Sequence, residues 1–450
     1  MMRRALIAAI YNTATATPAE PFDSTLFTAA EVVATFEPGD PSRYFGLIED
    51  APNWQRRRRG AYALYARTGA YPHADPEPRT IIWRDCDAAL RAPDGESSCA
   101  SRGRSRTMPW PPEVAHNCAL FRHGGAVHAI GGLAGPGRER HGLVRYAAAS
   151  LDALGAAPPS PVARGDHPGC VDRRPKQRGR CEFDGKLSVA PLRGGAAALF
   201  ARANLVRRNA TTGTFGGRHA QSASLDAATY AASPFAPLRI DGYREGGRDP
   251  PAPGDNVYFA AVDANPADGE SLLGLFPVVR DRGGEADAFL GLALSCDGVR
   301  FSKLRRVLNS TAASFGRSTD HPVDGFAVDG DVVYFYAHRD VPGVYMDVPA
   351  PHASRIVRYA APLDRLRAFT RDAKRDLGAA CAAGASADRS PRPPPATSAD
   401  VDRTDFDACW LDCLALARAR ERKNDKSRAT RRDRFIDACF DACYPPPPAG

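Results

Sequence analysis

Short apolar runs broken by small polar residues recur along most of the chain. Gly, Asn or Asp interrupts most of these runs, which lie at 61–67, 118–133, 187–205, 256–279 and 325–340. These residues tolerate positive φ and initiate tight turns, so each interruption is typical of a β-hairpin. The pattern therefore predicts β-strands that pair in consecutive hairpins.

A near-copy of one strand and turn indicates that the hairpins belong to a repeat. Residues 144–152 read VRYAAASLD and residues 357–364 read VRYAAPLD. A marker Asp follows an apolar run in five units, at intervals of 65 to 74 residues: Asp87, Asp152, Asp226, Asp297 and Asp364. A period of this length holds about four strands. Because radial closure hides the edges of such sheets, we predict an all-β fold, a five-bladed β-propeller over 55–375.

The two ends of the chain differ from the repeat region. Residues 1–19 carry two Arg, a short apolar stretch and an Ala-x-Ala pattern, which predicts a signal peptide. Residues 20–54 either close the propeller or pack on its outside. Residues 383–400 are rich in Pro, Ser and Ala, which predicts an extended linker, and the tail 445–450 is expected to be disordered.

Residues 401–444 carry two segments with helical apolar spacing and one C-x3-C pair each. Because Cys residues four apart share a helix face, an antiparallel α-helical hairpin would pair Cys409 with Cys443 and Cys413 with Cys439. Disulfides stabilise a unit whose core is this small. A zinc site made of the same thiolates is the alternative, although C-x3-C is wider than the usual C-x2-C. We expect a structural appendage or a surface for a protein partner.

The charge distribution and the hydropathy of the chain bear on whether it binds nucleic acid, spans a membrane or is secreted. The net charge is +8, but Arg residues are mostly interleaved with Asp, and only 56–59 forms a basic block. This distribution indicates a solvated surface and no nucleic-acid partner. No apolar run approaches eighteen residues, so we expect no membrane span. Glycosylation sequons at Asn209 and Asn309 fit a secreted protein.

The chain has eleven Cys, a high count that favours an oxidising compartment. Seven of them lie outside the C-terminal hairpin. Cys86 with Cys99, and Cys170 with Cys181, are near enough in sequence to be the first pairs to consider. Seven is odd, so at least one thiol stays free or pairs elsewhere.

The first strand of each propeller blade begins near the central axis, so residues just before these strands converge from distant parts of the chain. Counting back about 35–42 residues from each marker Asp reaches an amide or a carboxylate every time: Asn53, Asn117, Asp184, Asn256 and Asp324. We expect these side chains to surround one ligand site.

Glu182 and Asp184 are the candidates for catalysis. On a strand, residues two apart point to the same side. Two neighbouring carboxylates raise each other's pKa, so that one can stay protonated as a general acid while the other is ionised. The alternative is that Asp184-Gly185 forms a turn and that Glu182 is solvated.

Further polar residues stand at the expected starts of blades or after their strands. We expect them to contact substrate: Arg218, His219, Asp320, His321 and His338. Four aromatic residues near blade starts offer flat surfaces for sugars or pack in the core: Trp54, Trp110, Tyr243 and Tyr258.

The five repeats, the S-x-D-G-x-x-F pattern at 295–301 and the acidic blade starts resemble the five-bladed propeller glycoside hydrolases of families 32 and 43. The resemblance covers 55–375 and implies a carbohydrate partner, cleavage of a glycosidic bond, and no cofactor or metal. In those families three carboxylates from the first three blades surround the sugar. Glu182 would match the third-blade general acid, with Asp50 near the first-blade position. The second position holds Asn117, an amide that cannot carry the family's charge.

Three functional interpretations therefore stay open. The first is a glycoside hydrolase that uses Glu182 as acid and Asp50 or Asp184 as the partner carboxylate. The second is a propeller without catalysis that binds a glycan or a protein at the same place, because amides recognise hydroxyl groups without chemistry. The third is a structural interaction module.

Overall fold

The computed structural model describes residues 22–384 apart from short gaps, which are 38–39, 41, 51–61, 70–76, 92–97, 101–104, 135–141, 171–180, 193–194, 205–217, 243–255, 283–284, 311–312, 315–316, 319 and 342–352. Contacts divide the chain into two units, Met1–Pro391 and Arg392–Gly450, and every described residue belongs to the first. The signal peptide, the linker beyond its first two residues, the helical hairpin with its four Cys, the tail, Asn53 and Asn209 lie outside the described residues. They stay predictions.

The first sheet has four antiparallel strands: β2 (Arg43–Glu49), β3 (Tyr62–Thr68), β4 (Arg79–Cys86) and β5 (Ser105–Thr107). An earlier strand, β1 (Ala29–Thr35), belongs to the last sheet. The sequence YALYART of β3 is buried along all but its last residue. A strand that is covered on both faces carries such a continuous apolar run.

The second sheet repeats this order after one turn of helix, α1 (Pro112–Ala115), with α2 inserted before its last strand. Its elements are β6 (Ala119–His123), β7 (Ala126–Gly131), β8 (Gly142–Ala148), α2 (Leu151–Leu154) and β9 (Ser160–Arg164). Gly124 and Gly125 join β6 to β7 with φ of 57° and 80°. A two-residue hairpin needs positive φ at both positions, which explains the Gly pair.

The third and fourth sheets differ in size. The third has four strands: β10 (Ser188–Pro191), β11 (Ala197–Asn204), β12 (Arg218–Leu225) and β13 (Ala236–Pro237). The fourth has seven: β14 (Arg239–Ile240), β15 (Asn256–Val257), β16 (Ala261–Ala264), β17 (Leu272–Arg282), β18 (Glu285–Ser295), β19 (Arg300–Phe301) and β20 (Arg305–Asn309). A separate small hairpin pairs β21 (Ala313–Ser314) with β22 (Arg317–Ser318).

The last sheet joins the two ends of the sheet region. It contains β23 (His321–Pro322), β24 (Ala327–Asp329), β25 (Val332–Arg339) and β26 (Arg355–Pro362), and β1 pairs antiparallel with β26. Residues 29–35 thus complete this sheet, and β2 belongs to the first sheet although it precedes residue 55. Two helices follow, α3 (Leu363–Leu377) and α4 (Ala379–Gly384).

Strands of neighbouring sheets contact one another in a closed order of sheets. β2 contacts β6, β6 contacts β10, β10 contacts β16, β17 contacts β23, and β23 contacts β2. The described chain is therefore mostly β, with a propeller-like arrangement of four blade-like sheets and one larger sheet of seven strands. The four described helices are short or peripheral, and none is long and apolar enough to cross a membrane.

Apolar side chains fill the spaces between the sheets, and three disulfides crosslink the described chain. The predicted pairs Cys86–Cys99 and Cys170–Cys181 are confirmed. A third disulfide, Cys296–Cys381, ties α4 to the end of β18. Cys118 is a buried free thiol. Three disulfides among the described residues are compatible with an oxidising compartment.

Candidate functional site

Three rings from three sheets stack where the inner strands begin. The ring centroid of His321 lies 5.6 Å from that of Tyr44 and 5.3 Å from that of Tyr258, with interplanar angles of 19° and 27°. The hydroxyl oxygens of Tyr44 and Tyr258 lie 2.8 Å apart. All three side chains are buried. We call Tyr44, Tyr258 and His321 the aromatic stack.

A row of four polar side chains lies against the stack. Nη1 of Arg67 lies 3.1 Å from Nδ1 of His116, and Nε2 of His116 lies 3.1 Å from Oδ1 of Asp184. Oδ2 of Asp184 is ion-paired with Arg202. We call Arg67, His116, Asp184 and Arg202 the polar row. It joins residues from the first, second and third sheets.

The polar row and the aromatic stack touch through cation–π contacts. The guanidinium carbon of Arg67 lies 4.7 Å from the ring centroid of Tyr44, and that of Arg202 lies 5.3 Å from the ring of Tyr258. Arg218 approaches the ring of Tyr258 to 5.2 Å and is half-buried. Guanidinium groups are attracted to the negative face of such rings. Three arginines and one carboxylate therefore meet at two tyrosine rings.

The backbone beside the site adopts an unusual conformation. Tyr44 has φ of 57° and Phe183, next to Asp184, has φ of 56°. Bulky residues rarely occupy the left-handed region, and such strain persists only where the surrounding structure holds it in place. These reversals turn the chain just before Asp184 and at the start of β2. The surrounding structure therefore stabilises the backbone at Tyr44 and Phe183 against local strain.

Burial controls the charges of the row. Burial, reinforced by the positive charge of Arg67, lowers the pKa of His116 to about 4. The imidazole is then neutral at neutral pH, with Nδ1 accepting from Arg67 and Nε2–H donating to Asp184. Burial raises the pKa of Tyr44. The row thus contains two guanidinium charges and one carboxylate.

A second buried cluster lies deeper along the inner strands. Nζ of Lys186 donates to the hydroxyl of Tyr65 over 3.0 Å and lies 3.3 Å from Oδ2 of Asp324. Oγ of Ser188 lies 2.7 Å from Oδ1 of Asp324. Burial raises the pKa of Asp324, and the charge of Lys186 opposes that shift. Both carboxylate oxygens accept hydrogen bonds from this cluster, so Asp324 links inner strands.

The three candidate catalytic carboxylates lie in different places. Asp184 belongs to the polar row. Glu182 is half-buried and precedes β10, which begins at Ser188. The prediction that Glu182 and Asp184 share one strand is wrong, because neither is in a strand and Phe183 between them has positive φ.

Asp50 lies directly after β2, at the opposite end of that strand from Tyr44. Six residues of extended chain span about 20 Å. Nε of Arg84 donates to Oδ2 of Asp50 over 2.7 Å, and Arg122 donates to its backbone oxygen over 2.8 Å. The structure does not bring Asp50 and Asp184 together.

Two of the predicted amides, Asn117 and Asn256, are buried. Nδ2 of Asn117 donates to the backbone oxygens of Gly132 and Phe183, and its Oδ1 accepts from the amide of Gly132. This set of bonds holds the chain in front of β6 and β10. Asn256 is buried at the start of β15, and within the described part of the chain its Oδ1 has no hydrogen-bond partner.

The remaining predicted residues divide between the site and the core. His321 is part of the aromatic stack, and Arg218 lies over Tyr258. Nε2 of His219 bonds the backbone oxygen of Leu238 over 2.8 Å. Asp320 is ion-paired with Arg339 over 3.2 Å. His338 is fully buried between the edges of Phe36 and Phe45.

The sequence analysis did not single out four residues that the site contains: Tyr44, Arg67, His116 and Arg202. Arg67 ends the apolar run at 61–67, and His116 directly precedes Asn117. A charged residue inside a buried strand was the available signal for Arg67 and Arg202, since such residues are rarely buried without a partner. Among the described residues, no group of three or more His, Cys, Asp or Glu is placed to hold a metal ion.

Comparisons with known proteins yield fold similarity only. No family model matches the chain, and no curated protein matches it. An N-acetylgalactosamine deacetylase from F. plautii in complex with blood group B trisaccharide is 11% identical, with a TM-score of 0.45 and coverage of 79% of this chain and 99% of that one. An endo-arabinase from Bacteroides thetaiotaomicron is 9% identical, with a TM-score of 0.37 and coverage of 73% and 97%.

A GH43_1 enzyme from Xanthomonas citri complexed with xylotriose is 11% identical, with a TM-score of 0.40 and coverage of 74% and 90%.

Proposed function

We propose that the five larger sheets are five propeller blades and that the aromatic stack and polar row bind a carbohydrate at one end of their common axis. The closed order of contacts among the five sheets supports the five-bladed ring. The main support for the binding site is that each of the five sheets, or the segment just before its inner strand, contributes one residue to the cluster. These residues are Tyr44, His116, Asp184, Tyr258 and His321. The predicted signal peptide and the disulfides belong to the same proposal, that of a secreted protein.

The chemistry of the cluster suits a sugar. Ligand sites combine apolar or aromatic walls with a few fixed polar groups that set orientation. Tyr44 and Tyr258 are buried with His321 and arginines against their rings, so a sugar would contact the rim of the cluster and not the ring faces. Arg218 is half-buried beside Tyr258, so this side of the cluster is the one that solvent reaches.

Binding without hydrolysis is the function that the geometry supports best. Hydrolysis needs two carboxyl groups about 5 to 9.5 Å apart across the scissile bond. Among the described residues of the cluster, Asp184 is the carboxylate in contact with the polar row, and its oxygens face His116 and Arg202. Asp50 and Asp324 are engaged elsewhere by Arg84 and by Lys186.

Hydrolysis is the second candidate. The observation that favours it is the position of Glu182, which is half-buried only two residues from Asp184. In this mechanism Glu182 would protonate the leaving oxygen and Asp184 would be the partner carboxylate.

A glycan array followed by calorimetry tests the binding proposal. The full chain should bind at least one oligosaccharide, and Arg218→Ala should weaken that affinity by about tenfold, since one charge-assisted contact is lost. Arg84→Ala is the matched control, because Arg84 is also a partly exposed arginine but lies beside Asp50. The absence of binding to every glycan, or equal losses in the two variants, would overturn the proposal.

Turnover of aryl glycosides and oligosaccharides separates the two candidates. If the wild-type chain cleaves any of them and Glu182→Gln does not, hydrolysis replaces simple binding. If neither protein cleaves a substrate that both bind, Glu182 has no catalytic role.

A further inference from the structure

Asn309 is an exposed asparagine within a glycosylation sequon. It ends β20, and Ser310 and Thr311 follow it in the sequence. An Asn-x-Ser/Thr sequence accepts an N-linked glycan at a surface position. The other described asparagines are buried, and none of them precedes Ser or Thr by two positions: Asn117, Asn204, Asn256 and Asn265. Within the described part of the chain, sequon and exposure therefore coincide at Asn309.

The side-chain amide of Asn309 is oriented by Arg306. Nε of Arg306 donates to Oδ1 of Asn309 over 2.6 Å. Because a guanidinium group can only donate, the amide turns its oxygen, and not its nitrogen, towards Arg306. Arg306 is itself held by an ion pair with Asp287 over 2.7 Å and by a cation–π contact with Phe289. Nδ2 of Asn309, the atom that would carry a sugar, therefore faces away from Arg306 and donates to no described residue.

The backbone of Asn309 is held by neighbours on two sheets. Asn309 pairs with Phe289 of β18, and its carbonyl oxygen accepts from Nη2 of Arg339, in the last sheet, over 2.9 Å. The amide of Ser310 donates to the backbone oxygen of Ala288 over 2.9 Å. None of these hydrogen bonds uses Nδ2. A substituent on that nitrogen is therefore compatible with every contact that positions the residue.

The inward residues of β20 leave an outward surface for such a substituent. Val307 and Leu308 are buried, whereas Arg306 and Asn309 on either side of them are exposed. A glycan is bulky and strongly hydrated, so it must stay in solvent when the chain folds. The end of β20 meets that requirement.

We propose that Asn309 is a modification site that carries an N-linked glycan. In this reaction Nδ2 forms a bond to the anomeric carbon of an oligosaccharide that is carried on a polyprenyl diphosphate. The bond from that carbon to the diphosphate oxygen breaks, the diphosphate leaves with the electron pair, and one amide proton passes to a base of the transferase. The proposal rests on the secretory route that belongs to the proposed function, because the donor and the transferase act on that route.

Peptide mass spectrometry of the full chain tests the site. The chain is expressed with its own N-terminus in eukaryotic cells, treated with peptide-N-glycosidase in heavy-oxygen water and cut with trypsin. The glycosidase converts a glycosylated asparagine into an aspartate that carries heavy oxygen, and Asn309 is the one asparagine of the tryptic peptide 307–317. We expect the label in this peptide, and none after the same incubation without glycosidase. An unlabelled Asn309 overturns the proposal.

Three variants assign the glycan to the sequon. Asn309→Gln and Thr311→Ala should each lower the mass of the intact protein by one glycan, whereas Thr311→Ser should keep the glycan, because Ser also completes the sequon. Thr311→Ala retains Asn309 and its hydrogen bond with Arg306, so it separates the sequon from the structural role of the side chain. A glycan that persists in Thr311→Ala, or one that is lost in Thr311→Ser, overturns the assignment.

The location of the protein and its sugar binding distinguish this proposal from the proposed function. Protein in the medium with an unmodified Asn309 would refute the glycan and leave secretion standing. Unmodified protein that stays inside the cells would refute both. A glycan at Asn309 in a chain that binds no sugar on the array would refute the carbohydrate function and support the modification site.

Discussion

Nε2 of His116 lies 3.1 Å from Oδ1 of Asp184, and the other oxygen of that carboxylate is ion-paired with Arg202. His116 and Asp184 are 68 residues apart in sequence and come from the segments that lead into β6 and β10. The contact therefore joins two sheets at the start of their inner strands. Asp184 is the carboxylate that offsets the positive charges of the polar row.

Replacing Asp184 by Asn should strongly destabilise the fold. The side chain of Asp184 is 11% exposed, and removing one partner of a buried ion pair costs about 3 kcal/mol or more because the remaining charge loses its compensation. Urea denaturation would measure the free energy of unfolding. Asp152→Asn is the control, since the side chain of Asp152 is 59% exposed and pairs with Arg84 and Arg106, and its loss should cost less than about 1 kcal/mol. Equal losses in the two variants would contradict the role of Asp184.

His338 should make the fold sensitive to acid. Burial, together with the nearby charge of Arg43, lowers the pKa of His338 from 6.5 to about 3. Between these values the unfolded chain binds a proton that the folded chain does not, so the free energy of unfolding falls as the pH drops below about 6.5. By pH 4.5 the loss from this residue is about 3 kcal/mol.

His338→Phe removes the titrating ring and keeps an aromatic side chain between Phe36 and Phe45. Chemical denaturation at pH 7.5 and pH 4.5 would give, for each protein, the change in the free energy of unfolding on acidification. The variant should lose about 3 kcal/mol less than the wild type on acidification. An equal loss of unfolding free energy in the two proteins would show that His338 does not take up a proton on unfolding in this range.

Removing only Lys186 from its ion pair with Asp324 should destabilise the fold more than replacing both residues with apolar ones. Lys186→Met leaves Asp324 buried with Ser188 and Tyr65 but without a cation, at a cost of about 3 to 5 kcal/mol. Adding Asp324→Leu removes the uncompensated charge and should recover part of that loss. Guanidinium denaturation of both single variants and the double variant completes the cycle. A double variant less stable than Lys186→Met would refute a charge-based explanation.

The disulfide Cys296–Cys381 should contribute more stability than Cys86–Cys99. The first closes a loop with a sequence separation of 85 residues and the second one of 13. Loop-closure entropy gives about 4.5 kcal/mol for the longer loop and about 3 kcal/mol for the shorter one. Urea midpoints of the two paired Cys→Ala variants test this order.

Peptide mapping without reduction should also find Cys118 as a free thiol.

Local patterns predicted the parts of the fold that depend on neighbours in sequence. The Gly124-Gly125 turn follows from the φ values that a two-residue hairpin requires, and the run at 61–67 became the buried strand β3. Cys86 and Cys99 are close enough in sequence for a single loop to bring them together. Cys296 and Cys381 are not, so that pairing needed the position of α4 beside β18.

The site was predicted less well, for reasons visible at particular residues. The interval between markers reached Asp184, and His321 was a separate candidate at the start of the last unit. The same interval also reached Asn117 and Asp324, whose hydrogen bonds hold inner strands and the segments before them together. The assumption of an extended strand through Glu182 and Asp184 failed at Phe183, where φ is positive. Nothing in the local sequence of a Phe signals that conformation, because tertiary contacts impose it.

The sequence by itself determined the strands, their hairpins, the repeat and the two short-range disulfides, because turn chemistry and alternating burial act between residues that are near in the chain. Only the tertiary structure decided that Arg67, His116, Asp184 and Arg202 form one row and that Tyr44, Tyr258 and His321 form one stack. Those contacts span three or more sheets. They depend on how the sheets pack, and the local sequence around a charged or aromatic residue does not identify its partner in another sheet.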